Sequence, residues 1–136
     1  MEQLNLDNNH FSIKIGYLFG SEDDFKVSLI GWQDGDYFKE LSEEDGGVNA
    51  EHYQIFKNLP LGKKVDRKTL YKIIERFQQI PYLTSHNGNY KFHYDLHIWS
   101  KKYYIVYNSY LKKLCIKKLN ILDKIFYQAV QPSWQI

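Results

Sequence analysis

Apolar and polar positions alternate with a period of two along three stretches of the chain, the spacing of strands that bury one face. Phe11, Ile13, Ile15 and Tyr17 form the first series and predict a strand over residues 11–17. Phe25, Val27 and Leu29 form the second, and Gly20-Ser-Glu-Asp-Asp24 between them supplies turn chemistry, so the two read as a hairpin. Asp34-Gly35 marks another tight turn, after which Tyr37-Phe38 begins a short third strand. The last series is nearly strict. Tyr90, Phe92, Tyr94, Leu96 and Ile98 fall on one face, and Lys91, His93, Asp95, His97 and Trp99 on the other. Asn87-Gly88 before it is a hairpin turn signal, and Tyr103-Tyr-Ile-Val-Tyr107 after it has the aromatic and β-branched content of a returning strand. Residues 110–119 fit neither period and are read as a strand.

A period of 3.6 replaces the alternation in two places. Leu70, Ile73, Ile74 and Phe77 recur on one helical face behind an Asp66 N-cap, with Lys68, Lys72 and Arg76 on the outer face and Pro81 beyond the end. Ile121, Leu122, Ile125, Phe126, Ala129 and Val130 repeat the pattern behind Asn120, up to Pro132. Residues 50–59 read as a shorter helix stopped by Pro60, and Glu40 to Val48 as an exposed acidic loop. Successive antiparallel hairpins with helices between and after them predict an α+β fold: a single domain over residues 1–136, with a mainly antiparallel sheet of about five or six strands. Two or three helices pack on one face, and the other face is expected to stay partly open.

Composition adds bounds. A chain of 136 residues supports one core, and 43% apolar and 17% aromatic residues give it ample material. The single Cys115 cannot form an intrachain disulfide, the first residues lack the pattern of a secretory leader, and no apolar run reaches membrane-spanning length. The expectation is a cytoplasmic protein with no membrane association.

Charge is the most organised feature. Residues 1–56 carry twelve acids and three lysines, whereas residues 57–136 carry fifteen Lys and Arg and four acids, although the net charge is only +2. Either the two halves neutralise each other across the fold, or they form separate fields that steer partners of opposite sign.

Candidate chemistry is sparse. His93-x-Asp95-x-His97 places three potential ligands on one strand face, but strand rise separates alternate residues by about 6.6–6.8 Å, so two of them could share an ion and three could not. Further ligands would have to come from His86, His52 or Asp123, which spacing does not place. The simpler reading is a solvated strand face. Cys115 lies among Lys112, Lys113, Lys117 and Lys118, which would lower a thiol pKa, but a small buried side chain is the simpler reading here too. Neither a P-loop nor a dinucleotide fingerprint occurs. No catalytic residue, metal site or cofactor is assigned, and the protein is not expected to be an enzyme.

Two binding surfaces remain. Glu22, Asp23, Asp24, Asp34, Asp36, Glu40, Glu43, Glu44 and Asp45 fall on predicted turns and a loop beside Trp32 and Tyr37, a composition that suits docking to a basic protein. The leading expectation is a stoichiometric inhibitor or immunity-type protein that masks a basic partner, a toxin or nuclease. The alternative is a nucleic-acid-binding module in which Lys101, Lys102, Lys112, Lys113, Lys117, Lys118 and Lys124 track phosphates while Tyr103, Tyr104, Tyr107 and Tyr110 stack on bases. Oligomeric state is not encoded in any pattern.

Overall fold

Asp7 starts a helix where the alternation predicts a strand. In the computed structural model, which describes residues 2–33, 36–40, 56, 59–79, 83–84 and 91–120, residues Asn8–Phe19 form α1. The Asp7 carboxylate accepts the His10 backbone N–H at 2.8 Å, satisfying one of the unpaired donors of the first turn. Phe11, Ile15 and Phe19 then recur every fourth residue and are buried. Gly20 ends the helix at φ 51° and ψ −120°, a conformation that a side chain would strain. The expected strand over 11–17, and its hairpin with 25–32, are therefore corrected. Ile13 and Tyr17 made the alternation, and both point to solvent.

The strands are β1 (Glu2–Asn5), β2 (Phe25–Gln33), β3 (Asp36–Glu40), β4 (Lys64–Val65), β5 (Leu83–Thr84), β6 (Lys91–Trp99), β7 (Tyr103–Asn108) and β8 (Lys113–Lys118). Six of them form an antiparallel sheet in the order β1-β8-β7-β6-β2-β3, while β4 pairs with β2 and β5 with β6. The fold is α+β, as the patterning predicts. Gln33 pairs with Asp36, and Leu83 and Thr84 of β5 pair with Phe92 and Lys91 of β6, so strands flank both turn signals in sequence. The polar β1 has no sequence signature. The helix expected after Asn120, the helix expected over 50–59 apart from Phe56 and Leu59, the acidic loop expected beyond Glu40, and Asn87-Gly88 itself lie outside the described residues.

The second helix, α2 (Arg67–Gln78), follows its predicted pattern, with Asp66 accepting the Thr69 N–H at 2.8 Å and Leu70, Ile73, Ile74 and Phe77 buried. It runs antiparallel to α1: Gln78 Nε2 donates to the Asn8 carbonyl at 3.0 Å near one end, and Tyr71 lies beside Gly16 nearer the other. Both helices cover one face of the sheet. Phe11 stacks on Tyr107 of β7 with ring centroids 3.8 Å apart, Phe77 meets the same ring edge-on, and Phe19 packs against Phe25 of β2. The Tyr107 hydroxyl reaches the Leu6 carbonyl at 2.9 Å, which lets a polar ring occupy the core without an unpaired group. Neither described helix is long and apolar enough to cross a membrane.

Candidate functional site

Strand β2 divides the acidic residues into two groups. Its nine residues span about 27 Å, with Glu22, Asp23 and Asp24 before its first residue and Asp34, Asp36 and Tyr37 after its last. The first group is largely engaged inward. Arg67 donates from Nε and Nη2 to the Glu22 carbonyl at 3.0 and 2.7 Å. The Glu22 carboxylate accepts the Lys101 backbone N–H through Oε1 at 3.1 Å, and Asp23 Oδ1 accepts the Arg67 N–H at 2.7 Å. These contacts tie the α1–β2 turn to the start of α2 and to the β6–β7 turn, and they set a carboxylate at the positive end of α2. Asp24 is exposed.

The second group follows the sheet margin. β3 is the last strand of the sheet path, Tyr37 pairs with Trp32, Asp36 with Gln33, and the exposed Glu40 with Ile30 after a register shift. Asp34, Glu43, Glu44 and Asp45 lie outside the described residues, but in sequence they adjoin this strand on both sides. Trp32 has a different environment from the one its neighbours imply: it is half-buried, and its indole Nε1–H donates to Asp95 Oδ2 at 2.7 Å.

That bond belongs to a layer on the sheet face opposite the helices, where the expected solvated surface of β6 is corrected. Asp95 and His97 are each only 1% exposed, and His93 is also buried. Asp95 Oδ1 accepts Asn108 Nδ2–H at 2.8 Å, and Asn108 Oδ1 in turn accepts the Leu111 N–H at 2.8 Å, which shapes the β7–β8 turn. His97 Nδ1 meets the Tyr104 hydroxyl at 2.7 Å. Trp99 stacks on Tyr104 with centroids 5.0 Å apart, and Lys26 Nζ lies 5.5 Å above the Trp99 ring. Burial holds the His97 pKa down at about 3, so the ring is neutral, and burial followed by the nearby Asp95 charge raises the Tyr104 hydroxyl. Trp99 and Trp32 were the overlooked signal. Two indoles sharing a face with His and Asp indicate a packed polar-aromatic layer.

Among the described residues no group of three His, Cys, Asp or Glu side chains is arranged to hold a metal ion. Cys115 is buried in the same layer, and burial raises its thiol pKa despite the lysines around it in sequence. The four Tyr positions differ in exposure. Tyr104 and Tyr107 are buried, Tyr103 is half-buried, and Tyr110 is partly exposed against His93. Lys101 and Lys102 precede β7 while Lys112 follows it, so they lie at opposite ends of that strand. Comparison with family models, with curated proteins and with solved structures gives no match.

Proposed function

We propose that the chain is a small, non-enzymatic binding protein of the inhibitor or immunity type, and that it masks a basic partner protein, a toxin or nuclease. The observation that carries the reading is the acidic margin of the sheet. Asp36 and Glu40 lie on β3, at the end of the sheet path, and the sequence continues from Glu40 directly into Glu43, Glu44 and Asp45. Among the described residues β3 has no strand on its outer side; a strand so placed can offer backbone groups to a partner, and carboxylates along it raise the encounter rate with a cation-rich surface. Tyr37, paired in register with Trp32, adds an aromatic position of the kind that anchors interfaces. Glu22 and Asp23 take no part in this version of the site, because both brace the fold.

The competing explanation for acids on an edge strand is protection against sheet-to-sheet aggregation. Affinity capture from the native host separates the two. Wild-type chain should retain one strongly basic protein in equimolar amount, and the triple variant Glu43→Lys, Glu44→Lys, Asp45→Lys should lose it. An unchanged retained set, or a retained partner that is neutral or acidic, would overturn the proposal.

A further inference from the structure

Lysines gather at the end of the sheet where β6 turns into β7. Ser100 N–H donates to the Tyr103 carbonyl at 2.8 Å, and Ser100 Oγ accepts the N–H groups of Lys102 at 3.2 Å and Tyr103 at 3.0 Å. This tight turn holds the exposed Lys101 and Lys102 beyond the last strand pair. The Leu119 N–H donates to the Lys102 carbonyl at 2.8 Å, which brings the end of β8, with Lys117 and the exposed Lys118, against the same turn. Register extends the cations across the sheet. Lys64 of β4 pairs with Lys26 of β2, Lys26 with Trp99, Trp99 with Tyr104, and Tyr104 with Lys117. Residues in register share a face, so Lys64, Lys26 and Lys117 lie on one row across five strands, about 19 Å long, on the side away from the helices. Lys26 and Lys64 stand directly opposite each other, a like-charge pair that costs the fold stability.

Most acids at this end are committed to backbone donors. Glu22 accepts the Lys101 N–H, Asp23 the Arg67 N–H and Asp66 the Thr69 N–H, the last two at the start of α2 on the helical side. Asp24 is exposed, and Glu40 lies beside Gly62, where it bounds the cations toward β3. The exposed Lys63 and Lys68, with Arg67, keep the balance positive. The same end offers no apolar anchor. Tyr104 is buried, Tyr103 is half-buried against Phe19, and Trp99 lies between Tyr104 of β7 and Lys26 of β2. The large hydrophobic side chains exposed among the described residues, Ile13, Tyr17, Tyr71 and Tyr110, stand on the helices or in the β7–β8 turn. A docked protein would therefore lack a hot spot here and a membrane a side chain to take up, whereas a phosphate backbone requires only cations. Bases have no exposed ring to stack on either, so charge density decides, and a duplex carries more of it than a single strand.

We infer that this lysine row binds the phosphate backbone of double-stranded nucleic acid without reading its sequence. The inference does not rest on the basic-partner reading of the β3 margin, and its test needs no protein partner.

The test is fluorescence anisotropy of labelled DNA duplexes of two unrelated sequences, and of a single strand from one of them, titrated with the full chain at several salt concentrations. Wild type should bind the two duplexes equally, bind the single strand no more tightly, and lose affinity linearly in a double-logarithmic plot against salt. The double variant Lys101→Gln, Lys102→Gln should lower that slope by about two and weaken binding at low salt at least about tenfold, and Lys64→Gln, Lys118→Gln should do the same. Lys72→Gln, Lys112→Gln removes two exposed lysines from other parts of the surface and should leave the slope unchanged. All the substituted positions are exposed, so an unaltered melting temperature verifies that folding is intact. Absence of salt-sensitive binding, tighter binding of the single strand, or a slope that responds as much to the Lys72 and Lys112 control would overturn the inference. Equal affinity for polyglutamate or for phosphatidylserine vesicles through the same lysines would also overturn it, because the surface would then select charge and not nucleic acid.

Discussion

Replacing Asp95 by Ala removes the acceptor for two donors, Trp32 Nε1–H at 2.7 Å and Asn108 Nδ2–H at 2.8 Å. Asn108 is fully buried, so its amide loses the bond without gaining water, at a cost of about 2–3 kcal/mol. Trp32 is half-buried and can recover some hydration, which limits its share to about 1 kcal/mol. Relief of the buried carboxylate offsets part of this, leaving a net loss near 3 kcal/mol, the low end of the range for breaking a buried charged contact. For a chain of 136 residues that corresponds to a fall in Tm of about 12 °C. Asp95→Asn should lie between, at about 1–2 kcal/mol, because an amide keeps one acceptor and turns a donor toward the other partner. Thermal melts followed by circular dichroism and by tryptophan fluorescence should coincide and give the order wild type, Asn, Ala. A Tm for Asp95→Ala within about 2 °C of wild type would show that this carboxylate faces water, as alternation alone implies.

His97 is neutral in the fold, with its pKa held near 3, whereas in the unfolded chain it protonates near pH 6.5. Its contribution is therefore complete above pH 6.5 and declines at about 1.4 kcal/mol per pH unit as the pH falls toward 3. The stability difference between wild type and His97→Gln should shift with that slope between pH 6 and 4 in chemical denaturation, and a pH-independent difference would contradict the burial of His97. Phe11→Ala should cost about 3–5 kcal/mol because Phe11 is fully buried against Tyr107, whereas Ile13→Ala should cost less than about 0.5 kcal/mol. Equal losses at the two positions would restore the strand reading of 11–17. Cys115 should react with a thiol reagent only as fast as the protein opens, given its burial and raised pKa. Prompt stoichiometric labelling of native protein would place it at the surface.

Strand and helix periods were legible where polarity and burial agree. α2 carries its cap, its buried stripe and its basic outer row in sequence, and β2, β6 and β7 emerge from alternation and β-branched or aromatic content. They misled where agreement fails. In α1 the exposed Ile13 and Tyr17 interleave with the buried Phe11 and Ile15, so a helix with apolar residues on two sides imitates a strand. Asp7, three residues before the donor it caps, was the contrary signal. On β6 the alternation assigns faces correctly but not their exposure. Polar groups that bond one another, as Asp95 and Asn108 do, can be buried as completely as leucines, and which residues face one another across strands is set by register. The acidic cluster was visible as composition, but only the turn contacts of Glu22 and Asp23 separate the bracing carboxylates from those on the β3 margin.

The basic-partner reading is tested most directly by association kinetics. Once the partner retained from the host is purified, its on-rate with wild-type chain and with the Glu43→Lys, Glu44→Lys, Asp45→Lys variant can be measured as ionic strength rises. An electrostatically steered encounter predicts a wild-type on-rate that falls steeply with salt, and a variant on-rate lower by at least about tenfold at low salt and nearly flat in salt. On-rates for the two proteins that coincide at every salt concentration would contradict it.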